Sequence, residues 1–267
     1  MKISVIIPTY KPQAYLWECL EAIYCQSFPK ADYEILLVLN GCNEPYYTQI
    51  NEWLLNHKDL QVQFIQIDQG GVSNARNEAL DRATGEFVTF IDDDDYVSST
   101  YLSDLYAKAS PEVVCLSNVF AFWDGKPGFI DYSLTKDYSK KSGQSTLSIF
   151  NVHKYFSGPC MKLIPMNCIQ NRRYDIRFKN GEDTIFMFLI SDKIHKVSFA
   201  SHGCIYYRRY REGSAMTSSR SRWKIFKNSV NLIAAYTKIY LKAPLDYSFK
   251  LYIRNVMGAI NTIIVGF

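Results

Sequence analysis

Four consecutive aspartates, Asp92 to Asp95, close the apolar run EFVTFI (86–91), and two further acids, Glu182 and Asp183, open another, EDTIFMFLISD (182–192). Adjacent carboxylates repel, so each favours a protonated or neutralised neighbour. Three readings compete for the aspartates. A solvated turn needs only exposure. A calcium loop of EF-hand type needs Gly at its sixth position and Glu at its twelfth. Counted from Asp92, those places hold Val97 and Ser103, which excludes it. A Mg²⁺ or Mn²⁺ site for a diphosphate needs one or two carboxylates, because phosphate oxygens complete the shell. In an extended segment Asp92 and Asp94 point to one side, one towards a ribose and the other towards the metal. Glu182 and Asp183 on a first helical turn point roughly 100° apart. One of them can face a cleft while the other holds the loop; the plain alternative is that both complement the helix N-terminus.

These acids need a frame, and the first 91 residues alternate strand and helix signals. ISVII (3–7) is β-branched and stopped by Pro8, EILLVL (34–39) ends at Asn40-Gly41, and QVQFIQI (61–67) is a third strand. Between them, Leu16, Cys19, Leu20 and Ile23, and then Tyr47, Ile50 and Leu54, recur at helical spacing. Ala75, Ala79, Leu80 and Ala83 mark a third helix, with Ser73 as its N-cap and Gly85 just past its end. EFVTFI is the fourth strand.

Such alternation with near-continuous apolar strands predicts a parallel sheet covered by helices on both faces. Ligands in such folds sit beyond the carboxyl ends of the strands. That edge collects Pro8, Thr9, Tyr10, Asn40 and the aspartates. Further on, 112–123 reads as one strand, 124–160 as an irregular segment that covers the site, and 182–192 as a helix. Arg220 to Lys242 reads as an amphipathic helix, with apolar residues at 223, 226, 230, 233 and 240.

The chain has 267 residues, 48% hydrophobic and 15% aromatic, enough for a sizeable core. Seven cysteines without a CxxC pair suit reduced thiols of a cytosolic protein. MKISVIIPTY has too short an apolar run for a signal peptide, and the longest uncharged stretch, 255–267, is too short to span a bilayer. Residues 1–200 carry 19 Lys or Arg against 24 acids, whereas 201–267 carry 11 against 2. A basic tail on an acidic body points to an anionic surface such as lipid headgroups, with no nucleic-acid partner expected. Packing of the tail on the body is the competing reading.

VIIPTY followed by GGVSNARNEALDRATGEFVTFIDDDDYV closely resembles the inverting family 2 glycosyltransferases of GT-A fold, as do the later GPCMKLI, NGEDTIFMFLI and YYRRYREGSA. The resemblance covers about 1–215 and leaves 216–267 as a helical basic extension. It implies a Rossmann-like, mostly parallel sheet, with a nucleotide-binding half near 1–110 and an acceptor half near 111–215. It further implies transfer of one sugar from a nucleotide-sugar, UDP-linked in many members, to a glycan or lipid-linked acceptor. Through it, Pro8, Thr9 and Tyr10 line the base and ribose, and Arg76 contacts base or phosphate. Asp92 takes the ribose and shares the metal with Asp94, Asp93 is the variable middle position, and Asp95 lends support. Asp183 is the catalytic base, with Glu182 beside it; Mn²⁺ or Mg²⁺ is the cofactor. Lys162, Arg208, Arg209 and Arg211 are candidates for phosphate or an anionic acceptor, and His202 for the metal.

The family usually has an acidic pair after its second strand, where this chain has Leu39 and Asn40. Asn40 accepts through its carbonyl but adds a donor and lacks the charge. A Gln-x-x-Arg-Trp motif is absent, which argues against a processive synthase. A nucleotidyltransferase would need a glycine-rich loop where PTYKPQAY stands. A non-catalytic adaptor of the same fold is the alternative from outside the enzymes.

Overall fold

A computed structural model describes residues 1–144, 147–213 and 221–265. The first half alternates as expected: β1 (Ile3–Thr9), α1 (Ala14–Tyr24), β2 (Tyr33–Asn40), α2 (Tyr46–Leu55), β3 (Val62–Ile67), α3 (Val72–Arg82) and β4 (Phe87–Phe90). There follow β5 (Tyr96–Val97), α4 (Tyr101–Tyr106), β6 (Val113–Leu116), β7 (Asn118–Trp123), α5 (Ser133–Lys141), β8 (Lys162–Pro165) and α6 (Met166–Ile169). The chain ends with α7 (Glu182–Leu189), β9 (Lys196–Phe199), β10 (Ile205–Tyr210), α8 (Arg222–Lys242) and α9 (Phe249–Val265).

Seven strands form the main sheet in the order β3-β2-β1-β4-β8-β6-β9. β1 pairs in parallel with β2 and β4, and β2 with β3; β8 runs antiparallel between β4 and β6. Every residue of β1 and β2 is buried. Each buried Ile or Leu in these strands contributes about 1.5–3 kcal/mol, which makes them the core that holds the site edge rigid. Buried Glu34 is satisfied by Ser4 Oγ (2.7 Å), Thr84 N (2.7 Å) and Gln63 Nε2 (3.0 Å), pinning the opposite edge.

Several expectations need correction. Residues 112–123 are two strands, because the chain changes sheets at Ser117: β6 stays in the main sheet, and β7 joins a small sheet of order β5-β10-β7. The 124–160 stretch contains α5 and a 3₁₀ turn (His153–Ser157), and none of its described residues lines the cleft described below. The cap of α3 is Gly71, with Ser73 buried inside the helix. Gly85 lies not at the helix end but against β1, where a Cβ would fall 2.5 Å from Ser4 N.

The C-terminal helices form a hairpin. Tyr240 and Tyr252 stack at 4.6 Å, and the pair packs on α7 through Tyr236, whose hydroxyl meets Thr184 Oγ1 at 2.6 Å, and Tyr247, which donates to Leu189 O at 2.9 Å. α8 begins at Arg222, and its buried positions are Ser229 and Tyr236. Of the apolar positions expected on this amphipathic helix, Trp223, Phe226 and Val230 are exposed. Arg220 and the expected 215/216 boundary lie outside the described residues.

Candidate active site

The carboxyl ends of β1, β2, β3 and β4 open into one cleft of about 950 Å³. Pro8, Thr9, Tyr10, Asn40 and Asp92–Asp95 all line it, together with Asp68, Gly70-Gly71, Lys179 and Arg208–Arg211. Strand order reverses at β1, between β2 and β4, which is where a doubly wound sheet leaves a crevice.

The aspartates are not extended. Asp95 N donates to Asp92 O at 3.0 Å, closing a turn, so the simple alternation argument for Asp92 and Asp94 does not apply. The turn divides their environments. Asp95 is buried and accepts from Tyr206 Oη (2.7 Å) and Arg209 N (2.7 Å), which ties the run to β10. Thr9 Oγ1 donates to Asp93 Oδ2 at 2.5 Å, locking the end of β1 to the turn. Arg211 Nε donates to Asp94 Oδ2 at 2.7 Å, and Asp92 stays partly open to the cleft. Burial, reinforced by the neighbouring charges, lifts the proton affinity of Asp93 to about 7 and raises that of Asp94 and Asp95.

Arg76 is 3% exposed and lies beneath this turn. Its Nη2 donates to Asp92 Oδ1 (2.9 Å) and its Nη1 to Asp183 Oδ1 (2.5 Å), while its Nε has no partner. The guanidinium therefore joins the two acidic clusters, and it is absent from the cleft lining. Asp183 sits in the first turn of α7, and burial raises its proton affinity against the pull of Arg76. Glu182 is buried with Oε2 unsatisfied, and burial followed by the charge of Asp183 lifts it to about 7. By exposed surface Glu182 is the more enclosed of the two, 9% exposed against 28% for the Asp183 side chain, and neither lines the cleft.

Asn40 is committed to the backbone. Its Nδ2 donates to Thr9 O (2.7 Å) and its Oδ1 accepts from Gly71 N (2.8 Å), so it staples two cleft loops. Lys162 is fully buried beside the site, donating to Gly158 O and Cys160 O at 2.6 Å each, and burial lowers it to about 7. Arg209 pairs with Glu18 and Asp124, and Arg208 donates to Tyr132 Oη at 2.7 Å. His202 packs edge-on against Tyr138 outside the cleft lining. All seven cysteines are unpaired.

Sequence reasoning passed over Asp68, Lys179, Tyr15 and Tyr206. The alternation in IYYRRY was available as a signal, since it puts Tyr206, Arg208 and Tyr210 on one face of a strand.

Residues 4–167 match the family model described as Glycosyl transferase family 2. The chain belongs to that family. Among curated members, the poly(ribitol-phosphate) β-N-acetylglucosaminyltransferase TarS of Staphylococcus aureus is 29% identical over 241 residues, 88% of this chain and 40% of that protein. The GalNAc(5)-diNAcBac-PP-undecaprenol β-1,3-glucosyltransferase of Campylobacter jejuni is 27% identical over 238 residues, 86% of this chain and 72% of the relative. The chain thus spans about two fifths of the length of TarS. The crystal structure of TarS residues 1–349 in complex with UDP-GlcNAc superposes with a TM-score of 0.77 at 25% identity, over 99% of this chain and 73% of that one. The mannosyltransferase PcManGT of Pyrobaculum calidifontis, in complex with GDP-Man and Mn²⁺, shares the fold at a TM-score of 0.64 and 17% identity, over 99% of this chain and 73% of that one. The GT-A architecture expected of a family 2 member is therefore present.

Proposed function

We propose that this chain is a metal-dependent inverting glycosyltransferase that moves one sugar from a UDP-sugar to a hydroxyl of a cell-surface glycan or a lipid-linked acceptor. The observation that carries this reading is the Arg76 bridge, which fixes the donor-side acid Asp92 and the acid Asp183 on one buried cation. The TarS structure that holds UDP-GlcNAc supports the donor class, and relatives named for N-acetylglucosaminyl transfer on poly(ribitol-phosphate) and glucosyl transfer on a PP-undecaprenol glycan support the acceptor classes.

The acceptor oxygen attacks the anomeric carbon while the bond from that carbon to the diphosphate oxygen breaks, and the electron pair leaves with the nucleotide. The hydroxyl proton passes to Asp183, and configuration at the sugar inverts. Asp92 takes the ribose, and Pro8, Thr9 and Tyr10 line the base. Asn40 acts by holding their loop against Gly71. Asp68, exposed on the same wall, offers the acidic acceptor for a uracil N3–H that Leu39 and Asn40 lack.

Asp94 and Asp92 would hold Mn²⁺ or Mg²⁺. The donor set fits in kind: Asp92 and Asp94 are hard carboxylate donors on the cleft lining, phosphate oxygens would complete the shell, and the ion would replace Arg211 on Asp94. When bound, the ion neutralises charge on the departing diphosphate. The compartment that suits free thiols and a lipid-linked acceptor is the cytoplasm, at the inner face of a membrane.

Two variants test the assignment. Asp94→Ala should abolish the Mn²⁺ dependence of sugar-nucleotide binding in a thermal-shift titration. Asp183→Asn should bind donor normally and lose about 10²–10⁴-fold in turnover. Normal turnover in Asp183→Asn removes it as the base, and unchanged metal dependence in Asp94→Ala removes the metal site.

A further inference from the structure

The C-terminal hairpin presents one face to the catalytic body and leaves another uncovered. Ser229, Leu232 and Tyr236 of α8, and Leu251 and Ala259 of α9, are the inward positions. On the opposite side of α8, Trp223, Phe226, Val230 and Leu241 follow one another at helical spacing, all exposed. Trp223 is 70% exposed and stacks on Phe226 at 5.7 Å. The outward side of α9 carries Phe249, Ile253, Met257 and Ile264, again exposed, and Leu245 in the connection is 98% exposed. Among the described residues, most of the exposed large apolar side chains lie on these two helices and the turn between them.

Basic residues edge both stripes. Lys224, Lys227, Lys238 and Lys242 run along one side of the α8 stripe, and Lys250 and Arg254 along the α9 stripe. Asp246 is the single acid between residues 221 and 265. Long basic side chains beside an apolar stripe can bury their stems and keep their charge among headgroups.

We propose that the outer face of the α8–α9 hairpin docks on an anionic lipid surface, lying on the bilayer with its aromatic and aliphatic stripe inserted and its lysines among the headgroups. Charge selects this occupant. A second copy would press the same lysines against each other, whereas anionic headgroups neutralise them. Among the described residues no helix is long and apolar enough to cross a membrane, which leaves the interfacial position. The inner face of the same hairpin touches the start of α7: Leu232 lies against Gly181, and Tyr236 meets Thr184. A docked hairpin therefore holds the base-bearing helix at the surface from which a lipid-linked acceptor projects, and in that respect the inference rests on the transfer reading.

Vesicle co-sedimentation without any sugar donor separates the two. The chain should sediment with vesicles of phosphatidylcholine mixed with phosphatidylglycerol, weakly with phosphatidylcholine alone, and less as salt rises. Leu241→Ser with Leu245→Ser, and separately Lys227→Glu with Lys238→Glu, should each lower partition by about tenfold or more. Both pairs are exposed, and an unchanged thermal shift on adding UDP with Mn²⁺ verifies the fold. Equal binding to both vesicle types, no binding to either, or a dimer in sedimentation velocity that the same variants dissociate would each overturn the proposal. If vesicles bind and no sugar nucleotide is ever transferred, the docking surface stands and the transfer reading fails.

Discussion

Arg76 answers for most of the electrostatics of the site. A buried guanidinium between two carboxylates loses its hydration, and the pairs repay that only while both partners are present. Arg76→Met leaves Asp92 and Asp183 together without their cation and should cost about 3–5 kcal/mol in denaturant unfolding. Glu182 makes a sharper test. Its ordinary value is 4.5 and its value in the folded chain is about 7, so the folded state binds the proton more tightly. The stability this confers is present at low pH and is lost as pH rises from about 4.5 to about 7. Glu182→Gln, neutral at every pH, should therefore melt several degrees above the parent at pH 8 and no higher than it at pH 4. Turnover should run the other way, rising with pH as the two acids, both held protonated more tightly by burial, lose their protons. Both slopes follow from one enclosure, because burial of these acids is what makes the proton hard to remove.

The elements that hold these residues differ in how much they depend on distant partners. β1, β2 and β4 bury whole apolar runs, whereas β3, at the sheet edge, buries only Ile65, and the loops beyond them are held to one another by Thr9 and Asn40. The first turn of α7 does not stand alone: Gly181 has φ of +83°, and Leu232 of α8 lies where its Cβ would be, at 2.8 Å. Gly181→Ala therefore meets both an unfavourable backbone and a steric contact, and should destabilise the chain by about 1–3 kcal/mol. Tyr236→Phe removes only the hydroxyl that meets Thr184. It should lower kcat several-fold with donor KM unchanged, because the hairpin supports the base and not the nucleotide. A change confined to stability, with kcat intact, would make α8 a bystander.

Seen entire, the molecule has an acidic cleft at the carboxyl edge of its main sheet and a basic, apolar hairpin packed on α7. Removing divalent ions should show as a loss of donor-induced stabilisation. With Mn²⁺ present, UDP at about 100 times its dissociation constant should add about 2.7 kcal/mol of stability, and a chelator should abolish most of it. Asp68→Ala should weaken UDP relative to CDP in the same titration, since uracil N3 carries a hydrogen for that carboxylate on the β3 side of the cleft and cytosine N3 does not.

Much of this was legible in the residues alone. Apolar runs of period and length proper to buried strands, broken by Pro8, Asn40-Gly41 and the aspartates, are local signals, so the alternating half and its ligand edge followed directly. The motif spacing around Arg76, Asp92 and Glu182-Asp183 singled out residues that the fold brings together around one guanidinium. Their partners were not legible. That Arg76 bridges Asp92 to Asp183, that Asp95 is spent on Tyr206 and Arg209, and that Asn40 staples two loops depend on contacts between segments far apart in the chain. The same limit explains α8. Its sequence specifies a helix with apolar residues on more than one side, but which side is buried depends on what the fold brings against it. Here α7 takes the side of Ser229, Leu232 and Tyr236, and the stripe of Trp223, Phe226, Val230 and Leu241 is left outward, because burial is a property of the assembled surfaces and not of periodicity.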